Sequence, residues 1–280
     1  LNYYDSSKGI WKITSAGSYR FNGTGNNDAP ILIDHIDSGT VKVYLNNVNI
    51  HSADRTPPLR ITNTVHADVY IYLESSNLLQ STDINSAALQ IDGTTKLIID
   101  NSPGTNGSLT ANSSKHGIGI GSSSGNSDLS PAFHIIIKGG AVTASSSWSM
   151  GIGGNNSNIT INGGLVKVSS DQWCAIGGTK SNITIDGGSV KASSVSSSPT
   201  NDHGEKVYCC TIENLNSKKV IIDQNLKPWE PNNHQAVNPT DTNLYAWLTG
   251  EDHIVKVGTE RRSYIFDSED SESGTFSNTK

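Results

Sequence analysis

Residues 135–154 read IIIKGGAVTASSSWSMGIGG, residues 159–178 read ITINGGLVKVSSDQWCAIGG, and residues 183–192 open a third copy, ITIDGGSVKA. Ile137, Ile161 and Ile185 stand 24 residues apart, and so do Gly139, Gly163 and Gly187, and Val142, Val166 and Val190. A constant step of this size marks stacked repeats. One such unit cannot bury its own apolar face, so neighbouring copies must share a core.

Within each copy, apolar and polar residues alternate over short runs, the period-2 pattern of strands with one buried face. Three such runs fit in a coil and no helical pattern intervenes. The fold expected is therefore all-β: a right-handed parallel β-helix with coils of about 24 residues over 1–198, N-terminal cap included. The paired glycines 139–140, 163–164 and 187–188 fall where corners need a backbone of positive φ.

Upstream the spacing loosens. Leu45, Leu73 and Ile99 are read as continuing the column of Ile137, and SSSGNSDLSP (122–131) as a loop leaving the coil. In the third run, Leu59, Leu89, Ile118, Met150 and Cys174 are assigned to one inward column. Ile61, Ile91, Ile120, Ile152 and Ile176 are assigned to the next. Cys174 stands where others carry Leu or Met, so it is read as a buried hydrophobe.

Composition agrees with a thin-stranded solenoid. Hydrophobic residues make up 34% of the 280-residue chain and Gly numbers 27, too little apolar material for a helical bundle and much for turns. The net charge of −6, with 20 scattered Lys and Arg, argues against nucleic acid, which needs a concentrated positive surface. No apolar stretch approaches the roughly 20 residues needed to cross a bilayer. Three cysteines, two of them adjacent at 209 and 210, do not form a disulfide framework and are expected as free, mostly buried thiols.

The repeat is lost from residue 199. Segments 244–258 (LYAWLTGEDHIVKVG) and 262–267 (RSYIFD) alternate like antiparallel strands, so 199–280 is expected to form a small β cap over the open solenoid end. IWKITSAGSYRFNGTG (10–25) is expected to cap the other end.

Outward positions are the candidates for function. Tyr44, Tyr72, Ile98, Ile136, Thr160 and Thr184 are read as one outward stripe on the first run. Neighbouring coils sit about 4.8 Å apart, close to the rise of a sugar unit, so a ladder of flat rings suits a polysaccharide. At the start of the third run His116, Trp148 and Trp173 line up beside Gly117, Gly119, Gly151 and Ala175, read as outward-facing, which would leave a shallow trough. Arg60 is added as a ligand contact. Coverage of the stripe by residues 193–280 and filling of a corner by the indoles are the bland alternatives.

Catalysis needs convergent groups, either two carboxylates across a glycosidic bond or calcium with a basic residue. Asp100 and Asp186 share one outward column but lie too many coils apart. Asp34, His35 and Asp37 cluster, as do Asp202, His203 and Glu205. Asp34, Asp37 and Asp202 are the candidate Ca²⁺ ligands, since that ion takes oxygen donors.

WKITSAGSYRFNG (11–23), VKVYLNNVNI (41–50), the repeated I-T-I-x-G-G-x-V and GIGG (151–154) together resemble β-helical carbohydrate-binding domains of surface proteins from anaerobic Gram-positive bacteria. VYCCTIENL and LYAWLTGEDHIVKV resemble the tail that follows such repeats. The resemblance implies a non-catalytic, extracellular or cell-surface module that holds polysaccharide, sometimes with bound Ca²⁺, and is expected here as a monomer. The chain has Gly-Ile-Gly where acidic-sugar binders carry paired aspartates. A β-helical polysaccharide lyase or glycoside hydrolase, and a structural stalk or protein-binding adhesin, are the alternatives.

Overall fold

The computed structural model describes residues 2–25, 27–53, 55–123, 133–213, 215, 218–223, 243–268 and 274–279. Among these every regular element is a strand, and they wind into a parallel β-solenoid of about six turns. The greater part of the loop read at 122–131 lies outside the described residues.

The strands lie on three faces, and from the second turn on each turn supplies strands to all of them. On the first face Gly17–Asn22, Thr40–Asn46, Asp68–Leu73, Lys96–Asn101 and His134–Ile137 pair in parallel. The second face stacks Asn49–Ser52, Ser76–Ser81, Ser108–Ser113 and Ala141–Ser146. Asn158–Ser170 and Asn182–Ala192 run through the corner and serve both faces. The third face is built from short strands: Ile10–Ile13, Ile31–Ile33, Leu59–Ile61, Leu89–Ile91, Ile120–Gly121, Ile152–Gly153 and Ile176–Gly177.

Inward side chains from the three faces form one continuous core of Ile, Val and Leu, including Ile13, Val43, Ile71, Ile99, Ile137 and Ile161. The 24-residue step holds in space: Ile137 pairs with Ile161, and Ile161 with Ile185. The two glycines of each pair serve different needs. Gly164 has φ +84° and turns the corner, whereas a side chain on Gly187 would meet the Asn162 carbonyl oxygen at 2.5 Å.

Two columns differ from the sequence reading. Ile99 pairs with Ile71, which places Leu45 and Leu73 over Asn101, two residues along from the expected column. In the third run Leu89 pairs with Ile120, so Leu59, Leu89, Ile120, Ile152 and Ile176 form the inward column. The reason is common to both. A one-residue slip turns every side chain to the wrong face, but a two-residue slip preserves the alternation, so hydrophobic patterning does not detect it.

The ends differ as well. Residues 10–25, expected as a cap, supply the first strands of the third and first faces, and Asn2–Asp5 adds antiparallel to Ile10–Ile13 at the edge. At the other end Leu244–Thr249 pairs with Val207–Ile212 and lies against Asn182–Ala192. The Tyr245 amide donates to Ser189 Oγ at 3.1 Å, and the Trp247 indole N–H donates to the Val190 carbonyl at 2.9 Å. Val220–Ile222, His253–Val257, Glu260–Asp267 and Thr275–Thr279 form an antiparallel sheet. These C-terminal elements have their own core around Cys210, Ile212, Leu244, Val255 and Tyr264. The three thiols are free: Cys210 is buried, Cys174 half-buried and Cys209 exposed. Burial pushes the Cys210 thiol up to about 12.

Candidate functional site

At the corner between the second and third faces, His116, Trp148 and Trp173 stand on successive coils, with Ile84 one coil earlier. The His116 amide donates to the Ile84 carbonyl at 3.0 Å and the Trp148 amide to the Lys115 carbonyl at 3.1 Å, which holds the row in step. Three of these side chains are among the most exposed apolar groups of the molecule: Ile84 at 48%, Trp148 at 52% and Trp173 at 64%. The imidazole and the Trp148 indole lie 5.6 Å apart, tilted by 47°.

Together these rings wall a groove of about 180 Å³. Its floor is Ile118 and Met150, and Ser122, Ser123, Ser149 and Asn155 supply hydroxyl and amide groups around it. The floor corrects the sequence reading. Ile118, Met150 and the half-buried Cys174 do not enter the main core; with Ala87 they make a separate cluster outside it. The residues next to them turn inward instead. Ala175 is fully buried in the core, and a side chain on Gly119 would meet the Gly151 carbonyl oxygen at 2.5 Å, the Ala111 carbonyl oxygen at 2.9 Å and the Ser145 amide nitrogen at 3.0 Å. Glycine and alanine are therefore needed on the inner side, where the corner packs straight onto the second face. The apolar residues between them are turned out to line the groove.

A column of inward serines at the end of the second face fixes this corner. Ser113 pairs with Ser146, and Ser146 with Ser170. Ser113 Oγ donates to the Ser86 carbonyl at 3.2 Å, Ser146 Oγ to the Gly117 carbonyl at 2.7 Å, and Ser170 Oγ to the Ser149 carbonyl at 2.5 Å. The same oxygens accept: the Ser149 amide donates to Ser146 Oγ at 2.9 Å and the Trp173 amide to Ser170 Oγ at 3.0 Å. Each hydroxyl thus ties the ring-bearing turn of one coil to its neighbour, and the row is set on a rigid support.

Among the described residues, the imidazole nitrogens of His116 and the indole N–H groups of Trp148 and Trp173 have no protein hydrogen-bond partner. Trp247, by contrast, spends its N–H on the fold. Among the described residues no Asp, Glu, Lys or Arg lines the groove.

The tyrosines lie elsewhere, on the outer side of the first face. Tyr44 and Tyr72 stack at 5.0 Å with 21° between planes, and Tyr70 and Tyr72 lie 5.9 Å apart at 15°. Tyr70, which the sequence reading did not single out, takes the place beside Ile98, because Asp100 and not Ile98 pairs with Tyr72. Strict alternation puts Tyr70 and Tyr72 on the same side, and that signal was available in DVYIYL (68–73). The Arg20 guanidinium lies 5.3 Å from the Tyr44 ring and pairs with Glu74.

Arg60 joins neither set. Its Nε donates to Asp92 Oδ2 at 2.5 Å, and Gln90 Nε2 holds the other oxygen of Asp92 at 2.6 Å, a bridge between third-face coils.

The three residues read as calcium ligands are dispersed. Asp34 Oδ1 accepts from Thr62 Oγ1 at 2.7 Å and Thr64 Oγ1 at 2.9 Å, and Oδ2 lies 2.8 Å from His35 Nδ1. Burial opposes ionisation of Asp34, but these hydrogen bonds outweigh it and hold the carboxyl below its usual range. Asp37 is exposed. Asp202 sits near Asp186, whose carboxyl is raised by burial and by the Asp202 charge, and lies 3.5 Å from His203. Among the described residues no group of three or more His, Cys, Asp or Glu side chains is gathered to hold a metal ion. No helix of the described residues is long and apolar enough to cross a membrane.

Comparison with curated proteins and with solved structures gives no match. Residues 7–120 match a family described as "Carbohydrate-binding domain-containing protein", a stretch that holds the tyrosine cluster, Ile84 and His116 and ends before Trp148 and Trp173.

Proposed function

We propose that this solenoid is an extracellular carbohydrate-binding module that grips an extended, uncharged polysaccharide along the row Ile84, His116, Trp148 and Trp173. The observation that carries the reading is a groove with two exposed indoles and an imidazole whose nitrogens make no hydrogen bond to the described protein. An indole face offers a flat apolar surface to the C–H side of a pyranose ring, and its N–H serves a hydroxyl. The serines and Asn155 around the groove match a ligand rich in hydroxyl groups. The family matched by residues 7–120 agrees with a carbohydrate ligand.

The coil spacing of about 4.8 Å sets the ligand direction. A chain lying along the solenoid axis meets one ring or apolar side chain per coil, whereas a chain across the axis meets only one coil. The described lining of rings, hydroxyls and an amide, with no Asp, Glu, Lys or Arg among those residues, favours neutral glucans and xylans over polygalacturonate, whose carboxylates need cations.

The test is affinity electrophoresis in gels containing glucan, xylan or polygalacturonate, with calcium and with chelator, while the same mixtures are followed for reducing ends and unsaturated products. Retardation in the neutral gels, unchanged by chelator and lost in the Trp148→Ala/Trp173→Ala double variant with its circular dichroism intact, supports the proposal. Unchanged retardation of that variant removes the groove from the account, and product formation makes the protein an enzyme.

A further inference from the structure

We propose that the C-terminal sheet carries a cationic patch, at Lys218, Lys256 and Arg261, that holds an acidic polysaccharide bearing sulfate or carboxylate groups. The patch is separate from the groove. Only the choice of a glycan as its occupant rests on the carbohydrate reading above.

Burial alternates along His253–Val257 and Glu260–Asp267, so one side of the sheet faces the core around Val255 and Tyr264 and the other is open. The open side presents Ile254, Lys256, Arg261, Ser263 and Ile265. Lys256 and Arg261 stand directly opposite each other on the antiparallel pair. Cross-strand partners hold their Cβ atoms about 5 Å apart, and like charges at that spacing are destabilising. An anionic group placed over the pair removes that repulsion.

Lys218 adds a third cation at the same end of the sheet. The Gly258 amide donates to the Lys219 carbonyl at 2.8 Å, which draws residues 218–219 up to the turn between the two strands. A side chain on Gly258 would meet Lys218 Cδ at 3.1 Å. Among the described residues the side chains of Lys218, Lys256 and Arg261 are not ion-paired. Glu260, beside them in the sequence, is taken by Arg262, whose Nε and Nη2 donate to its two oxygens at 2.9 and 3.0 Å. Acidic groups stand at the opposite end of the strands. There Asp223 pairs with His253 and accepts from the Ile254 amide, and Asp252 accepts from the Phe266 amide. Charge is thus segregated along this sheet, in a chain whose net charge is −6.

A linear acidic glycan fits this arrangement. Val220–Ile222, His253–Val257 and Glu260–Asp267 lie side by side, about 4.8 Å apart. A chain crossing them meets one cation per strand, at 218, 256 and 261, and the Ser263 hydroxyl stands beside the pair. Duplex nucleic acid is held by neutralising more phosphates than three side chains reach. A module with both surfaces joins uncharged and acidic polymers of one matrix, and two weak sites on one molecule raise its retention there through effective concentration.

The experiment passes the whole protein over immobilised dextran sulfate, carboxymethyl dextran and plain dextran, and elutes with sodium chloride. Net charge alone predicts exclusion of this acidic protein from both charged matrices. The proposal instead expects salt-sensitive retention beyond that on plain dextran, and the matrix that retains it more strongly identifies sulfate or carboxylate as the group held. Lys256→Gln/Arg261→Gln should weaken that retention roughly tenfold, with a melting temperature unchanged or raised because the like charges are gone. Lys8→Gln/Lys138→Gln removes the same charge elsewhere and should be retained as the wild type is. No retention of the wild type on either charged matrix, or equal weakening in the two variants, overturns the patch. Duplex DNA that elutes the protein at a lower concentration of anionic groups than free dextran sulfate does overturns a glycan as its occupant. Failure of the groove reading shows separately, as no retardation in the uncharged glucan and xylan gels.

Discussion

Ser146 does three things with one hydroxyl. It donates to the Gly117 carbonyl, accepts from the Ser149 amide and holds the turn that carries Trp148. Both partners are buried, so Ser146→Ala leaves an unmet donor and an unmet acceptor and is expected to cost about 1–3 kcal/mol. Its midpoint in urea should fall, and its glycan retention should weaken more than that of a variant equally destabilised in the core. Gly164 makes a conformational demand instead. At φ +84° an added methyl group meets the Gly140 carbonyl oxygen at 2.6 Å, and Gly164→Ala should cost at least about 1–2 kcal/mol by the same denaturation. Single residues were also where the sequence was hardest to read. The exposed row was legible because Trp148 and Trp173 recur in one part of the repeat. Its floor was not, since Ile118 and Met150 look like core residues, and only the small residues beside them show which way the corner turns.

At the scale of elements, the three runs per coil and the constant 24-residue step were legible, because alternation and period are properties of neighbouring residues. Register between coils of unequal length was not, because a two-residue slip leaves the pattern intact. The first coils have a titratable brace. Asp28 accepts from the amides of Thr24 at 2.9 Å and Asn49 at 2.8 Å, and Asp34 from the hydroxyls of Thr62 and Thr64. Burial opposes ionisation of Asp28 and Asp34, but the hydrogen bonds outweigh it, and the folded pKa of each lies below the ordinary value. A depressed folded pKa stabilises the fold above the unfolded value of about 3.9, and that stabilisation is lost as pH falls through the folded pKa. The urea midpoint should therefore drop below about pH 4, and Asp34→Asn should be less stable at neutral pH and less sensitive to acid.

For the molecule as a whole, the C-terminal sheet protects an edge. Leu244–Thr249 lies over Asn182–Ala192, fastened by the Trp247 indole and by the Lys191 ammonium 5.1 Å from the Tyr245 ring. An uncovered parallel edge is a template for pairing with another chain. Trp247→Ala is expected to lower the melting temperature and to promote concentration-dependent association visible in light scattering, while the groove, at 116–173, still binds. The cap was expected from the loss of the repeat after residue 198. The contacts that fasten it were not, because they join residues more than fifty positions apart.

The most direct measurement is retardation of the wild type and the Trp148→Ala/Trp173→Ala variant in glucan, xylan and polygalacturonate gels, with and without chelator. The account predicts calcium-independent retardation of the wild type in the neutral gels and its loss in a variant that remains folded. Equal retardation of the two proteins, or retardation confined to polygalacturonate with calcium, would contradict it.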